Sequence, residues 1–181
     1  MKKVFIKGGT IVNSKESFAG NILIEDEKIA KVSDPDEFIE LDNDTKVVDA
    51  SGKLIFPGFI DAHTHFDLHV AGTVTCDDFY SGTKAAISGG TTTIIDFGTQ
   101  YKGETLNEGM DNWLNKAKDG VFCDYSIHMS ISDWNEEAKR QCRDMMERGV
   151  TTFKIYLTYD ILLKDNEAFE VIQRLKEVGA I

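Results

Sequence analysis

Four strand-like apolar runs begin near Phe59 (FIDAH), Thr91 (TTTIIDF), Asp124 (DYSIHMSI) and Thr151 (TTFKIYLT), at successive spacings of 32, 33 and 27 residues. Each run is followed by a helical candidate. Glu104 to Lys118 aligns Leu106, Met110, Trp113 and Ala117 on one face, and Asn135 to Arg148 aligns Ala138, Cys142 and Met145. Asp165 to Val178 does the same with Ala168, Val171, Ile172, Leu175 and Val178. Gly89, Gly149 and Gly179 stand where helices should stop. Strands alternating with helices at this spacing restrict the chain to a parallel sheet, either an open doubly wound sheet or part of a (β/α)8 barrel. A closed barrel takes about 250 residues for eight units, so the four units here amount to half of one.

Residues 3–56 read differently, as short alternating strands marked by Val4 and Ile6, Ile22 and Ile24, Ile29 and Val32, and Val47 and Val48. Pro57-Gly58 punctuates their end. The expected organisation is a small β-rich lobe over 1–56, part of a β-sandwich side domain, followed by a partial barrel over 57–181. The fold class is α/β: the N-terminal half of a TIM-type barrel, about four βα units, behind a β lobe. On pattern alone an open four-stranded sheet fits equally well. The chain stops at a helix-ending glycine, between units, and is expected to be the amino-terminal portion of a longer protein.

Charge narrows the partners. With 20 basic and 31 acidic residues the formal charge is −11, and both the lobe and the remainder are acidic. Such a surface repels a phosphate backbone and an anionic membrane, so neither nucleic acid nor membrane is an expected partner. Cys76, Cys123 and Cys142 are odd in number and lack CxxC spacing, which fits reduced thiols in a cytoplasmic protein better than a disulfide framework. No apolar run approaches the ~18 residues of a membrane span, and the run after the first lysines is too short for a signal peptide.

The strongest chemical feature is Asp61-Ala62-His63-Thr64-His65. It follows an apolar approach made of Leu54, Ile55, Phe56, Phe59 and Ile60. Strand side chains alternate, so Asp61, His63 and His65 share one face, and two imidazoles two residues apart can converge on one cation. Two histidines satisfied in a polar strand end are the alternative. Lys154 lies in Phe153-Lys154-Ile155-Tyr156-Leu157, an expected buried strand in which an unpaired ammonium is costly. Its pKa should fall, leaving a neutral amine that carbon dioxide could convert into a metal-bridging carboxylate. On the residues alone, a lysine that snorkels to the strand end is the favoured alternative. Asp96 and His128 fall near the ends of the second and third strands, and Tyr159 just beyond the fourth could donate its hydroxyl to an oxyanion. No GxSxG or GxxxxGK[ST] is present, so nucleophilic-serine and P-loop chemistry have no support.

Taken together, Gly58 to His65, the run Gly72 to Ala86, Gly89-Gly90-Thr91-Thr92 and Phe153 to Tyr159 resemble the dihydropyrimidinase and hydantoinase family of cyclic amidohydrolases, and the resemblance spans essentially the whole chain. It implies that His63 and His65 bind the first of two divalent metals, commonly zinc. Lys154, carbamylated, would bridge both, and Tyr159 would hold the substrate and stabilise the tetrahedral intermediate. The implied reaction opens a small cyclic ureide or imide, a dihydropyrimidine or hydantoin, to an N-carbamoyl amino acid. The complete protein would be a homo-oligomer, a tetramer. Phe66 to Phe79 would form a loop over the substrate, where Asp67-Leu68-His69-Val70 departs from the family's more apolar stretch. The family's remaining metal histidines and catalytic aspartate come from later strands, so this chain alone is expected to be inactive. Allantoinase or dihydroorotase specificity is a near alternative. A non-catalytic assembly relative, or an unrelated open-sheet binding protein, would leave His63, His65 and Lys154 without a purpose.

Overall fold

Pro57 and Gly58 divide the chain in space as well as in sequence. The structure, a computed structural model, describes every residue except Met1 and Asp119, and its residues form two compact units, Met1–Pro57 and Gly58–Ile181.

In the first unit β1 (Lys3–Val12), β2 (Ser17–Glu25), β3 (Lys28–Ser33) and β4 (Lys46–Asp49) form a sheet in the order β3-β2-β1-β4, with β5 (Leu54–Ile55) also paired to β1. The first three strands are antiparallel neighbours; β4 and β5 run parallel to β1. Leu54 and Ile55 therefore do not lead into the strand near Phe59, as their apolar character suggested. They pair with Thr10 and Ile11, and Pro57, with no N–H to donate, cannot carry a ladder onward towards Phe59. Phe5, Ile11 and Ile22 are buried, whereas Ile29, Val32, Val47 and Val48 stay exposed on the two outer strands.

Asn21 stabilises a defect in this sheet. The register of β1 against β2 slips between Ile6 and Gly9, with Gly8 at a φ of 76°, and the freed Gly8 N–H donates to Asn21 Oδ1 at 2.9 Å. Asn21 Nδ2 donates in turn to the Asp34 carbonyl at 2.9 Å. Asn21→Ala would remove both hydrogen bonds, which are part-buried, at a cost of about 0.5–1.5 kcal/mol each. Loss of hydrogen-exchange protection at the Gly8 amide is the expected signature, and unchanged protection there would contradict it.

The second unit contains β6 (Phe59–Thr64), β7 (His69–Val70), β8 (Thr73–Val74), α1 (Phe79–Ser88), β9 (Thr91–Thr99), α2 (Leu106–Ala117), β10 (Asp124–Ile131), α3 (Glu136–Glu147), β11 (Phe153–Ile155) and α4 (Asp165–Val178). Its main sheet is parallel throughout, in the order β11-β10-β9-β6, and a helix follows each strand. Side-chain caps set where the helices begin: Asp78, Thr105 and Asn135 accept from the backbone N–H groups of Ser81, Glu108 and Ala138. The Thr105–Glu108 capping box starts α2 two residues later than Glu104. Gly149 and Gly179 are left-handed as expected; after α1 that conformation falls on Gly90, not on Gly89.

Two sequence expectations change. The Lys154 strand ends at Ile155 instead of running to Leu157, and its residues are half-buried, because β11 is an outer strand with β10 as its one neighbour. The Phe66–Phe79 segment is not simply a loop, since it contains the small antiparallel hairpin β7–β8 with Ala71 and Gly72 at positive φ. Behind the sheet, Ile94, Ile127 and Trp113 pack with Phe66 and Phe79, while Met129, Ile131, Leu106, Cys142, Met145 and Val171 form a second cluster. Among the described residues no helix is long and apolar enough to cross a membrane.

Candidate metal centre

Strand alternation sorts the parallel sheet into two faces. Ile94 on β9, Ile127, Met129 and Ile131 on β10, and Phe153 and Ile155 on β11 pack towards the helices. Phe97, His128 and Lys154 have the opposite parity, and His63 on β6 and His65 just beyond its end reach the same face. Phe97 is the floor on which they meet. Its ring centroid lies 4.7 Å from that of His63, 4.9 Å from His65 and 4.8 Å from His128. Lys154 Nζ sits 4.2 Å from the same centroid. The structure thus gathers His63, His65 and Lys154 at one place, although β6 and β11 lie at opposite ends of the sheet.

The two imidazoles converge. His63 Nε2 and His65 Nε2 are 3.2 Å apart. Nitrogens ~2.0–2.1 Å from one tetrahedral zinc would lie about 3.3–3.4 Å from each other, so the pair fits a shared cation; the same spacing also suits a hydrogen bond between the rings. Burial first, then the electrostatic influence of neighbouring Lys154 and His63, lowers the His65 pKa from 6.5 to about 4. Its ring is therefore neutral at neutral pH with a lone pair to offer, and among the described residues its buried Nδ1 has no hydrogen-bond partner.

Lys154 supplies the third group. Among the described residues its amine has no carboxylate partner and rests against the faces of Phe97 and Tyr156, the latter centroid at 4.7 Å. Burial lowers its pKa and so favours the neutral amine. Ser130 stands opposite Lys154 in the β10–β11 register. Its hydroxyl and that of Tyr156 are buried neighbours that do not reach hydrogen-bond geometry with each other or with any other described group. Burial raises the Tyr156 pKa, which keeps the phenol protonated as a donor. Tyr159 is exposed, at a left-handed φ of 68°, with its ring 6.4 Å from that of Tyr156.

Other candidates serve the backbone. Asp61 turns to accept the His63 N–H at 3.1 Å and does not join the imidazoles. His128 Nε2 lies 3.1 Å from the Ala62 carbonyl, which requires the proton on that nitrogen, and Nδ1 bonds with the Thr152 hydroxyl. Asp96 is fully buried and accepts four hydrogen bonds; burial raises its pKa against their pull. Among the described residues no cluster of three or more His, Cys, Asp and Glu side chains is placed to hold a metal ion, so the donor set here is two imidazoles and one amine. Sequence reading missed Phe97, Ser130 and Tyr156. Their parity with Lys154 was available in principle, but neighbours across strands depend on register.

A parallel βα sheet whose titratable side chains gather on one face, near the strand ends, is the arrangement on which barrel proteins build their sites. Residues 54–171 match the Amidohydrolase family, and the chain belongs to that family. It is 43% identical over 181 residues to a dihydropyrimidinase of Dictyostelium discoideum, covering 98% of this chain and 35% of that protein. A D-hydantoinase of Geobacillus stearothermophilus is 40% identical over 97% of this chain and 37% of its own length. The crystal structure of a dihydropyrimidinase from Brevibacillus agri superposes with a TM-score of 0.89 at 35% identity, over 98% of this chain and 38% of that one. The chain thus spans about a third of the length of these relatives, and its parallel sheet is the N-terminal half of a TIM-type barrel rather than an open sheet.

Proposed function

We propose that this chain contributes the first half-barrel to a binuclear metal-dependent hydrolase that opens the cyclic amide of 5,6-dihydropyrimidines or hydantoins to N-carbamoyl amino acids. The carrying observation is the convergence of His63, His65 and Lys154 around Phe97. The relatives named dihydropyrimidinase and D-hydantoinase favour this substrate class over allantoin or dihydroorotate. The reduced thiols fit a cytoplasmic setting.

In this reading His63 and His65 would hold the first cation, their Nε2 atoms being the pair that converges. The Lys154 amine, whose neutral form burial favours, would add carbon dioxide with release of a proton and so become a carbamate able to hold divalent metal, zinc being the metal that two imidazoles and an oxygen donor suit. A bound pair of divalent ions would supply an activated water and polarise the ring carbonyl. Tyr159 would donate its hydroxyl to that carbonyl oxygen as it gains charge. Tyrosine seldom adopts a left-handed φ, and such strain persists where surrounding structure enforces it, often at functional sites.

Zinc titrations with and without bicarbonate test the donor set. Bicarbonate should tighten zinc binding by the unaltered chain and leave Lys154→Ala unaffected; equal responses would remove the carbamate from the scheme. The reaction itself is tested by ring opening of dihydrouracil and hydantoin. Turnover is expected from protein spanning the relatives' full length and not from the 181 residues alone, whose two imidazoles and one amine fall short of a binuclear donor set.

A further inference from the structure

Ala62, Thr64 and Phe66 alternate with His63 and His65, and each is tied from outside its own strand. Asp96 Oδ2 accepts the Thr64 hydroxyl at 2.8 Å and the Phe66 N–H at 3.0 Å. Its other oxygen accepts Trp113 Nε1–H at 2.9 Å and the Phe97 N–H at 2.8 Å. His128 completes the set by donating from Nε2 to the Ala62 carbonyl at 3.1 Å.

These ties lie where the sheet's own ladder fails. The register of β6 against β9 slips between Asp61 and Thr64, so regular backbone pairing does not fix the segment carrying both imidazoles. Sliding or rotating that segment by one position would send the rings to the helix side of the sheet. The even-numbered residues spend their hydrogen bonds on the brace, and the odd-numbered imidazoles keep their Nε2 atoms for each other or for a cation. The same carboxylate also fixes the backbone of Phe97, whose ring both imidazoles touch.

We propose that Asp96 is the positioning residue of the His63–His65 pair, holding the histidine strand with one carboxylate oxygen and the Phe97 floor with the other, with His128 as the second tie. The inference rests on the metal-holding role proposed for the pair. A carboxylate accepts on both oxygens, and all four groups around Asp96 are donors. Asp96→Asn keeps the shape but turns an NH2 group towards one pair of donors.

Two measurements on the 181-residue chain test this. The first is zinc affinity by calorimetry; the second, made without metal, is the set of nuclear Overhauser contacts between the ring protons of His63, His65 and Phe97. Asp96→Asn should weaken zinc binding about tenfold, the scale on which losing a supporting hydrogen bond acts at metal sites. It should also erase the His65–Phe97 contacts while the amide dispersion of α3 and α4 persists. Thr64→Val, which removes one donor without touching the core, should act in the same direction by a smaller factor and decides the matter if Asp96→Asn does not fold. Asn21→Ala, in the other unit, should change neither readout. Intact ring contacts in a folded Asp96→Asn would overturn the proposal, as would equal zinc weakening in Asn21→Ala. If the unaltered chain takes up no zinc, the metal reading fails by itself and the ring contacts alone judge Asp96.

Discussion

Replacing both His63 and His65 by alanine is expected to eliminate zinc uptake at this site while the chain remains folded. The folding half of that expectation follows from exposure: His63 is exposed and His65 only half-buried, so truncation removes little packing. The binding half follows from the donor set. Lys154 alone cannot replace two imidazole nitrogens that converge to 3.2 Å, so the loss should exceed the ~10–100-fold that removal of a supporting partner costs. Each single replacement should cost most of the affinity, because one imidazole chelates nothing. In protein of the relatives' length the same variants should lose ring-opening turnover. Zinc affinity unchanged in the double variant would locate the cation elsewhere and remove the basis of the proposed function.

Trp113→Ala is the replacement expected to cost the most stability. Trp113 is 1% exposed in the cluster that joins β9, β10 and α2. Truncating such a residue leaves a cavity worth about 3–5 kcal/mol. The indole also donates to Asp96 and lies under Lys116 Nζ, 3.9 Å from its ring centroid. Lys116 in turn binds the Asp67 carbonyl at 2.8 Å and its carboxylate at 3.1 Å, so the start of the β7–β8 segment is anchored through the same helix. Denaturant unfolding followed by helical circular dichroism should show the full loss for Trp113→Ala. Trp113→Phe should lose less, since it keeps most of the volume and forfeits mainly the hydrogen bond. A loss below about 1 kcal/mol in the alanine variant would mean that the cluster closes over the gap.

The repeat of four βα units was legible because both of its signals are local. Apolar stripes at helical period identified α2, α3 and α4 to within a few residues, and caps such as Thr105 explain the offsets. The face shared by His63 and His65 followed from strand alternation alone. Less legible was anything that depended on which strand lies beside which. Leu54 and Ile55 read as the apolar approach to the Asp61–His65 strand and pair instead with β1 of the lobe. Lys154 read as the centre of a long buried strand and sits in a short outer one. Asp96, with nothing in its own neighbourhood to distinguish it, turned out to bind residues 30 and 32 positions earlier and 17 later.

By itself, then, the sequence determined the elements, their order and the residue types able to hold a cation, because helix period, strand alternation and turn chemistry act over a few residues. Tertiary structure alone decided that Phe97 would be the surface on which two imidazoles and an amine from opposite ends of a sheet meet, and that Asp96 would brace them. Both outcomes depend on the register between strands. Register is fixed by packing and hydrogen bonds between distant segments, and these leave no periodic trace in either segment alone.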